Sequence, residues 1–157
     1  MASKKEEDIA EPLDLESKDI WLRKFRMAKT QQTLTLMVER AIDQYQMIQK
    51  GDRVLVGVSG GKDSSLLLYA LHQLSKWKIY DFEVVGLTVD HGMLGHMDAF
   101  DAFCHQAGLR RVVHTEHYAV NLKEDSAYAP CYTCSRLRKG IIKRYAIENG
   151  FNKIALG

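Results

Sequence analysis

The sequence predicts an α/β fold: a parallel sheet with helices on both faces, preceded by an N-terminal helical segment. Three observations carry this. Apolar runs of strand length recur at 53–58, 83–89, 110–116 and 152–156, and helical periodicity fills about 63–76, 97–107 and 132–149 between them. The first run, Val54-Leu55-Val56-Gly57-Val58, is apolar without alternation, the pattern of a strand buried on both faces. Strands that alternate with helices imply right-handed crossovers, hence parallel neighbours in a helix-covered sheet. Such sheets bind ligands beyond the carboxyl ends of their strands, near a switch in strand order.

Taken in order, residues 1–17 are polar and acidic, contain Pro12 and lack periodicity, and read as a flexible leader. From Lys18 to about Gln49 apolar residues recur at helical spacing, among them Ile20, Trp21, Phe25, Leu34, Val38, Ile42 and Ile48. Thr30-Gln31-Gln32-Thr33 offers a break, so this segment reads as one long helix or two, stopped by Gly51-Asp52. Residues 50–157 then form the nucleotide-binding domain argued below.

Composition sets bounds. The 157 residues suffice for one α/β domain, and 46% hydrophobic content supports a packed core. A net charge of +2 does not by itself indicate nucleic-acid binding. No apolar run approaches a transmembrane span, so no membrane partner is expected, and the charged N-terminus lacks signal character. Three cysteines without a secretory signal favour the reducing cytoplasm, where a C-x-x-C is a metal or redox site rather than a structural disulfide.

Chemistry concentrates at Ser59-Gly60-Gly61-Lys62-Asp63-Ser64, directly between the first strand and the helix that follows it. A helix N-terminus presents backbone N–H groups and the positive end of its dipole, which suits a phosphate or pyrophosphate. The two glycines permit close backbone approach, Ser59 and Ser64 add hydroxyls, and Lys62 adds a cation. A Walker A loop is excluded because Val56 stands at its first glycine and Asp63 at its Ser/Thr position; the spacing of Gly57, Gly60 and Gly61 excludes the dinucleotide fingerprint. What remains, S-G-G-x-D-S, resembles the PP-loop of the ATP pyrophosphatase (adenine nucleotide alpha hydrolase-like, Rossmann-like) superfamily, whose members cleave ATP between the α and β phosphates. Asp63 and Asp90, both expected at the mouth of the sheet, are the carboxylates best placed to meet Mg²⁺ on ATP, although either could instead cap a helix or open a turn. His91 and His117 fall at the same mouth and read equally as polar surface histidines; His72, His96, His105 and His114 read as structural.

A second motif is Pro130-Cys131-Tyr132-Thr133-Cys134-Ser135-Arg136-Leu137-Arg138-Lys139-Gly140. Two thiols at a helix start sit where the dipole favours the thiolate that metals and sulfur transfer require. Two ligands do not complete a zinc site or a four-cysteine cluster, and Cys104, among Phe100, Phe103 and Leu109, reads as a core residue. Arg136, Arg138, Lys139, Lys143 and Arg144 on the same helix could contact RNA phosphates or form a solvated basic face.

Together with Lys153-Ile154-Ala155-Leu156-Gly157, this motif resembles the tRNA 2-thiocytidine synthetase (TtcA-like) group of PP-loop proteins, from roughly Leu36 to Gly157. The resemblance implies ATP-dependent tRNA thiolation: adenylation of the C2 oxygen of a cytidine with release of pyrophosphate, then displacement of AMP by sulfur. It implies ATP, Mg²⁺ and a [4Fe–4S] cluster as cofactors. Ser59, Gly60, Gly61, Lys62, Asp63, Ser64 and Asp90 would serve nucleotide and magnesium, and Cys131 and Cys134 the cluster; Asp63, Cys131 and Cys134 would be catalytic. Implied partners are tRNA, a sulfur donor such as a cysteine desulfurase, and a second copy in a homodimer. The family places its third cluster cysteine after the A-L-G strand, so the chain reads as the N-terminal part of a longer protein. Val89-Asp90-His91-Gly92-Met93 is closer to the corresponding loop of tRNA(Ile)-lysidine synthetases, which keeps lysidine-type ligation as an alternative. An ATP-binding module without catalysis of its own is the other.

Overall fold

The structure, a computed structural model, describes residues 28–77, 80–91, 95, 97–116 and 130–157; for 28–30 and 130–134 it describes the backbone alone. The expected leader, the stretch from Lys18 to Met27, Gly92, Met93, His96 and His117 lie outside the described residues, as do the side chains of Cys131 and Cys134. The elements are α1 (Ala28–Tyr45), β1 (Arg53–Gly57), α2 (Lys62–Ser75), β2 (Glu83–Asp90), α3 (Asp98–Ala107), β3 (Arg111–Thr115), α4 (Pro130–Glu148) and β4 (Lys153–Leu156). Among the described residues no helix is long and apolar enough to cross a membrane.

All four strands are parallel, in the order β3-β2-β1-β4. β1 pairs on both sides, Gly57 standing opposite Leu87 of β2 and Leu156 of β4. That explains its unbroken apolar run: Val54, Leu55 and Val56 are each at most 1% exposed. Val54, Val56, Val58 and Val84 meet Leu68, Leu71 and Leu74 of α2, Phe100 and Cys104 of α3, and Ile42 of α1. On the other face Leu55, Val85, Leu87 and Val89 meet Ile141, Ile142 and Ala146 of α4. The chain winds outward from β1 to β3 with its helices on one face, then returns past β1 to β4 with α4 on the opposite face. The right-handed crossover rule requires that change of face when the direction reverses. The switch in strand order therefore lies between β1 and β4.

Two expectations need correction. The helix before β1 ends at Tyr45 rather than near Gln49, and Gln46 follows it at φ 51°. Ile48, expected as helical, instead packs against the core from the ensuing turn. Nor does Thr30–Thr33 break the helix: Thr35 Oγ1 donates to the Gln31 carbonyl at 2.9 Å, absorbing its hydroxyl within the helix. Packing of Thr35, Val38 and Ile42 against the core outweighs the modest local propensity.

The amino end of the sheet is tied by a polar network. Asp52 accepts from the Gln49 N–H (2.8 Å) and from Asn152 Nδ2 (2.7 Å), and Asn152 Oδ1 accepts from the Arg53 N–H (2.7 Å). Arg53 also donates to Glu83 (2.7 Å), which takes a second bond from Arg110 (2.7 Å). The hydrogen bond from Gln49, with lesser help from Asn152 and Lys153, holds the Asp52 carboxyl below its ordinary value despite burial. A carboxylate depressed in the folded state contributes stability that is present above the ordinary carboxylate pKa near 4 and is lost as pH falls through the folded value. Asp52→Asn is expected to cost about 1.5–3 kcal/mol at neutral pH. It should also flatten the acid limb of stability below about pH 4, read from urea midpoints across pH.

Candidate nucleotide site

The site is built where β1 runs out. Val58 N–H still donates to the Leu87 carbonyl at 2.8 Å, and the chain then turns through Ser59–Gly61 into α2. Gly60 takes φ +81°, a left-handed conformation that costs any L side chain free energy. A β-carbon there would also stand 2.7 Å from Met97 Cε. Gly61 differs: its backbone is extended (φ −73°, ψ 162°), and a β-carbon would meet only Ser59 Oγ, at 3.4 Å. Neither backbone nor crowding demands glycine at 61, which fits a loop that a ligand approaches closely.

The hydroxyls expected to serve that ligand close a ring among themselves. Gly61 N–H donates to Ser59 Oγ (3.4 Å), Ser59 Oγ lies 3.3 Å from Ser64 Oγ, and Ser64 Oγ donates to the Gly61 carbonyl (3.3 Å). These are long for hydroxyl hydrogen bonds, so exchanging them for a phosphate oxygen costs little. Ser65 is different in kind. Its Oγ donates to the same carbonyl at 2.7 Å and its side chain is fully buried, so it fastens the turn. No side chain caps the N-terminus of α2, whose first turn carries Lys62 and Asp63, both exposed.

Beside the loop lies a cleft of about 270 Å³ beneath the first half of α4, on the β1–β4 side where strand order switches. Ser59, His91 and Gly157 line its strand-end wall. Ser135, Arg138, Lys139 and Ile142 line its helix wall, a stripe at i, i+3, i+4 and i+7. Arg138 Nε is buried there with no hydrogen-bond partner among the described residues. A buried guanidinium nitrogen without an acceptor is costly, and an anion in the cleft would supply one.

Of the expected site residues, Ser59–Ser64 are brought together at the loop. Asp90, half-buried, closes β2 opposite Thr115, while its neighbour His91 turns into the cleft. Cys131 and Cys134 fall in the first turn of α4, the latter one residue before cleft-lining Ser135. Cys104 packs in the core on the opposite face of the sheet, where burial pushes its thiol up to about 11; it cannot join them as a ligand. Among the described residues no three metal-ligating side chains converge.

The basic run of α4 divides. Arg138 and Lys139 face the cleft, Arg144 is held by Glu116, and Arg136 and Lys143 are exposed. The Arg144 guanidinium keeps the Glu116 carboxyl below the usual range. Lys50 and Arg53 do not join this group: they sit at the amino end of the sheet, paired with Asp81 and Glu83. Sequence reasoning left Arg138 and Lys139 open between RNA contacts and a solvated face, and missed them as cleft residues. The signal was present in their spacing from Ile142, which the periodicity of the helix turns toward the sheet.

A doubly wound parallel sheet with an uncapped, glycine-entered helix and a cation-lined cleft at its switch point is a nucleotide-binding α/β protein. The chain belongs to the PP-loop family: residues 33–157 match the PP-loop domain, as the Ser59–Ser64 motif led us to expect. It is 43% identical over 123 residues to a tRNA-cytidine(32) 2-sulfurtransferase of Legionella pneumophila (strain Paris), covering 75% of this chain and 43% of that relative. A protein of the same name from Deinococcus radiodurans is also 43% identical over 123 residues, covering 76% of this chain and 41% of the relative. Among solved structures, it is similar to the U34-tRNA thiolase NcsA from Methanococcus maripaludis with its [4Fe-4S] cluster. That match has TM-score 0.59 and 29% identity, covering 71% of this chain and 39% of that one. The chain thus spans less than half the length of these relatives.

Proposed function

We propose that this chain is the nucleotide-binding part of a cytoplasmic, ATP-dependent tRNA sulfurtransferase acting on the C2 position of a cytidine. The observation that carries the reading is that one cleft joins the Ser59–Ser64 loop to the helix that begins with Cys131 and Cys134. Relatives named for 2-thiolation of tRNA cytidine, and a neighbour named as a tRNA thiolase with its [4Fe-4S] cluster, support it.

In this reading the nucleoside end of ATP occupies the cleft, whose volume lies near the lower bound of about 300 Å³ for small-ligand pockets. The phosphates lie out over Gly60–Ser64, against the first turn of α2. Asp63 and Asp90 hold the magnesium ion that accompanies them. The cytidine O2 attacks the α-phosphorus and pyrophosphate departs, its charge met by Lys62 and the loop N–H groups, while Arg138 in the cleft faces the α-phosphate that joins the nucleoside to it. Sulfur at the sulfide level then adds to C2 as hydrosulfide and loses its proton as AMP leaves, carrying away the oxygen that would otherwise depart poorly. Cys131 and Cys134 are two ligands of a [4Fe–4S] cluster, which supplies the sulfur-handling chemistry. A desulfurase-type donor provides the sulfur as a persulfide, and a thiol reductant supplies the two electrons that release it at the sulfide level.

The decisive experiment is mass spectrometry of tRNA nucleosides from cells with and without the intact gene. Selective loss of 2-thiocytidine is expected; an unchanged thionucleoside profile would remove the reading. Within the same site, Arg138→Gln is expected to weaken ATP binding by about tenfold, the effect of losing one charge-assisted hydrogen bond. Calorimetric titration with ATP checks this.

A further inference from the structure

Arg111 opens β3, far along the chain from the loop, yet it is a nearly enclosed cation with its side chain 11% exposed. Three groups fix it: Asp101 on α3 pairs with Nη2, Thr88 Oγ1 on β2 accepts from Nη1 at 3.1 Å, and its guanidinium lies 5.2 Å from the centre of the Phe100 ring. Thr88 is itself buried, so this fork is anchored in the core. The fourth contact reaches outward. Nη1 approaches Met97 Sδ at 3.7 Å, and the far end of Met97, its Cε methyl, rests where Gly60 has a hydrogen in place of a side chain. Met97 is the N-cap of α3 and is half-buried against the core. A flexible thioether is pinned at its sulfur by a rigid planar fork and presses its methyl on the one loop residue with φ above zero.

We infer that Arg111 is a positioning residue for the nucleotide loop, acting through Met97 on Gly60. The inference rests on reading that loop as the ATP site. Without the methyl against it, Gly60 is free to leave the +81° conformation, since glycine has many others available. The Gly61–Ser64 N–H groups would then have to be reordered at each binding event. An Arg111 fork held by Asp101, Thr88 and Phe100 removes that cost in advance. Lysine at 111 would keep the pairing with Asp101 but could not also fork to Thr88 and Met97.

The test uses the full chain carrying Met97→Ala, Met97→Leu, Arg111→Lys or Met97→Ala/Arg111→Lys, titrated with MgATP and followed by hydrogen exchange of the 59–65 segment. Met97→Ala and Arg111→Lys are each expected to weaken ATP by about tenfold and to speed exchange in 59–65 relative to 53–58. Met97→Leu, which keeps an apolar side chain but lacks the sulfur that Arg111 holds, should weaken ATP to a similar extent, and the double variant should be no weaker than either single one, because both act through one contact. A purely structural Arg111 would lower the melting temperature while leaving ATP affinity and relative loop exchange of the folded protein unchanged. That result, or additive losses in the double variant, would overturn the inference. If the parent itself binds no ATP, the nucleotide reading fails, and the exchange data still decide whether Arg111 and Met97 restrain the loop.

Discussion

Cys131→Ala and Cys134→Ala are each expected to abolish 2-thiocytidine in cellular tRNA while leaving ATP affinity within about twofold of the parent protein. The two halves of this expectation come from different parts of the fold. Among the described residues the cleft draws its α4 wall from Ser135, Arg138, Lys139 and Ile142 and its other walls from strand ends, and in the proposed reading these groups hold the nucleotide. Both stand at the start of α4, three residues apart. Cys104 is no substitute: it lies on the opposite face of the sheet, its thiol disfavoured as a thiolate by burial. In the proposed reading, loss of either cysteine should be all-or-none for sulfur chemistry and nearly silent for nucleotide binding. Purified anaerobically, the variants should also lose iron and acid-labile sulfide. The opposite result is equally informative. Full activity on tRNA in Cys131→Ala would point to lysidine-type ligation, an alternative that His91, a cleft residue from the lysidine-like loop, keeps chemically coherent.

Much of this arrangement was legible before any coordinates, and the reason is local. β1 is apolar from Val54 to Gly57 because it is flanked by strands on both sides and helices on both faces, and a run such as Val54-Leu55-Val56 has few other homes. The loop was legible because S-G-G-x-D-S falls between that strand and a helix, a context that gives a short motif its meaning. What escaped were matters of direction and distance. The spacing of α4 put five cations on one helix, but only the packing of Ile141 and Ile142 against the sheet decides which of them turn inward. Arg53, for all its charge, is consumed by Glu83, by the carbonyls of Asn149 and Gly150 and by the Phe151 ring at the far end of the sheet. The end of α1 at Tyr45 was hidden because Ile48 keeps the helical apolar rhythm while packing from a turn. The Arg111–Met97–Gly60 contact could not be read at all, since it joins three segments that only the fold brings together.

Gly157→Val is expected to weaken ATP binding by on the order of 100-fold, about 3 kcal/mol, with a smaller effect on melting temperature. Its neighbour Leu156 pairs with Gly57, so Gly157 leaves the sheet at the switch point, level with the turn into α2. There a β-carbon on residue 157 would stand 2.9 Å from Ser64 Cα, 3.0 Å from Ser64 N and 3.2 Å from the Asp63 carbonyl carbon. These are backbone atoms in the first turn of the nucleotide helix, not the yielding tip of a side chain. Something must therefore move, and the choices are unequal. β4 is locked to β1 from Val54↔Lys153 to Gly57↔Leu156, and Ser65 is fastened to Gly61 by both its N–H and its hydroxyl. The weakest link is the ring of long hydrogen bonds through Ser59, Ser64 and Gly61. Displacement should consequently concentrate in the loop, so the substitution ought to read as a binding defect more than a folding defect. Gly157→Ala should show the same pattern at smaller amplitude. Calorimetric ATP titration beside a thermal melt separates the two: a large fall in melting temperature with unchanged affinity in the folded protein would mean that β4, not the loop, had yielded.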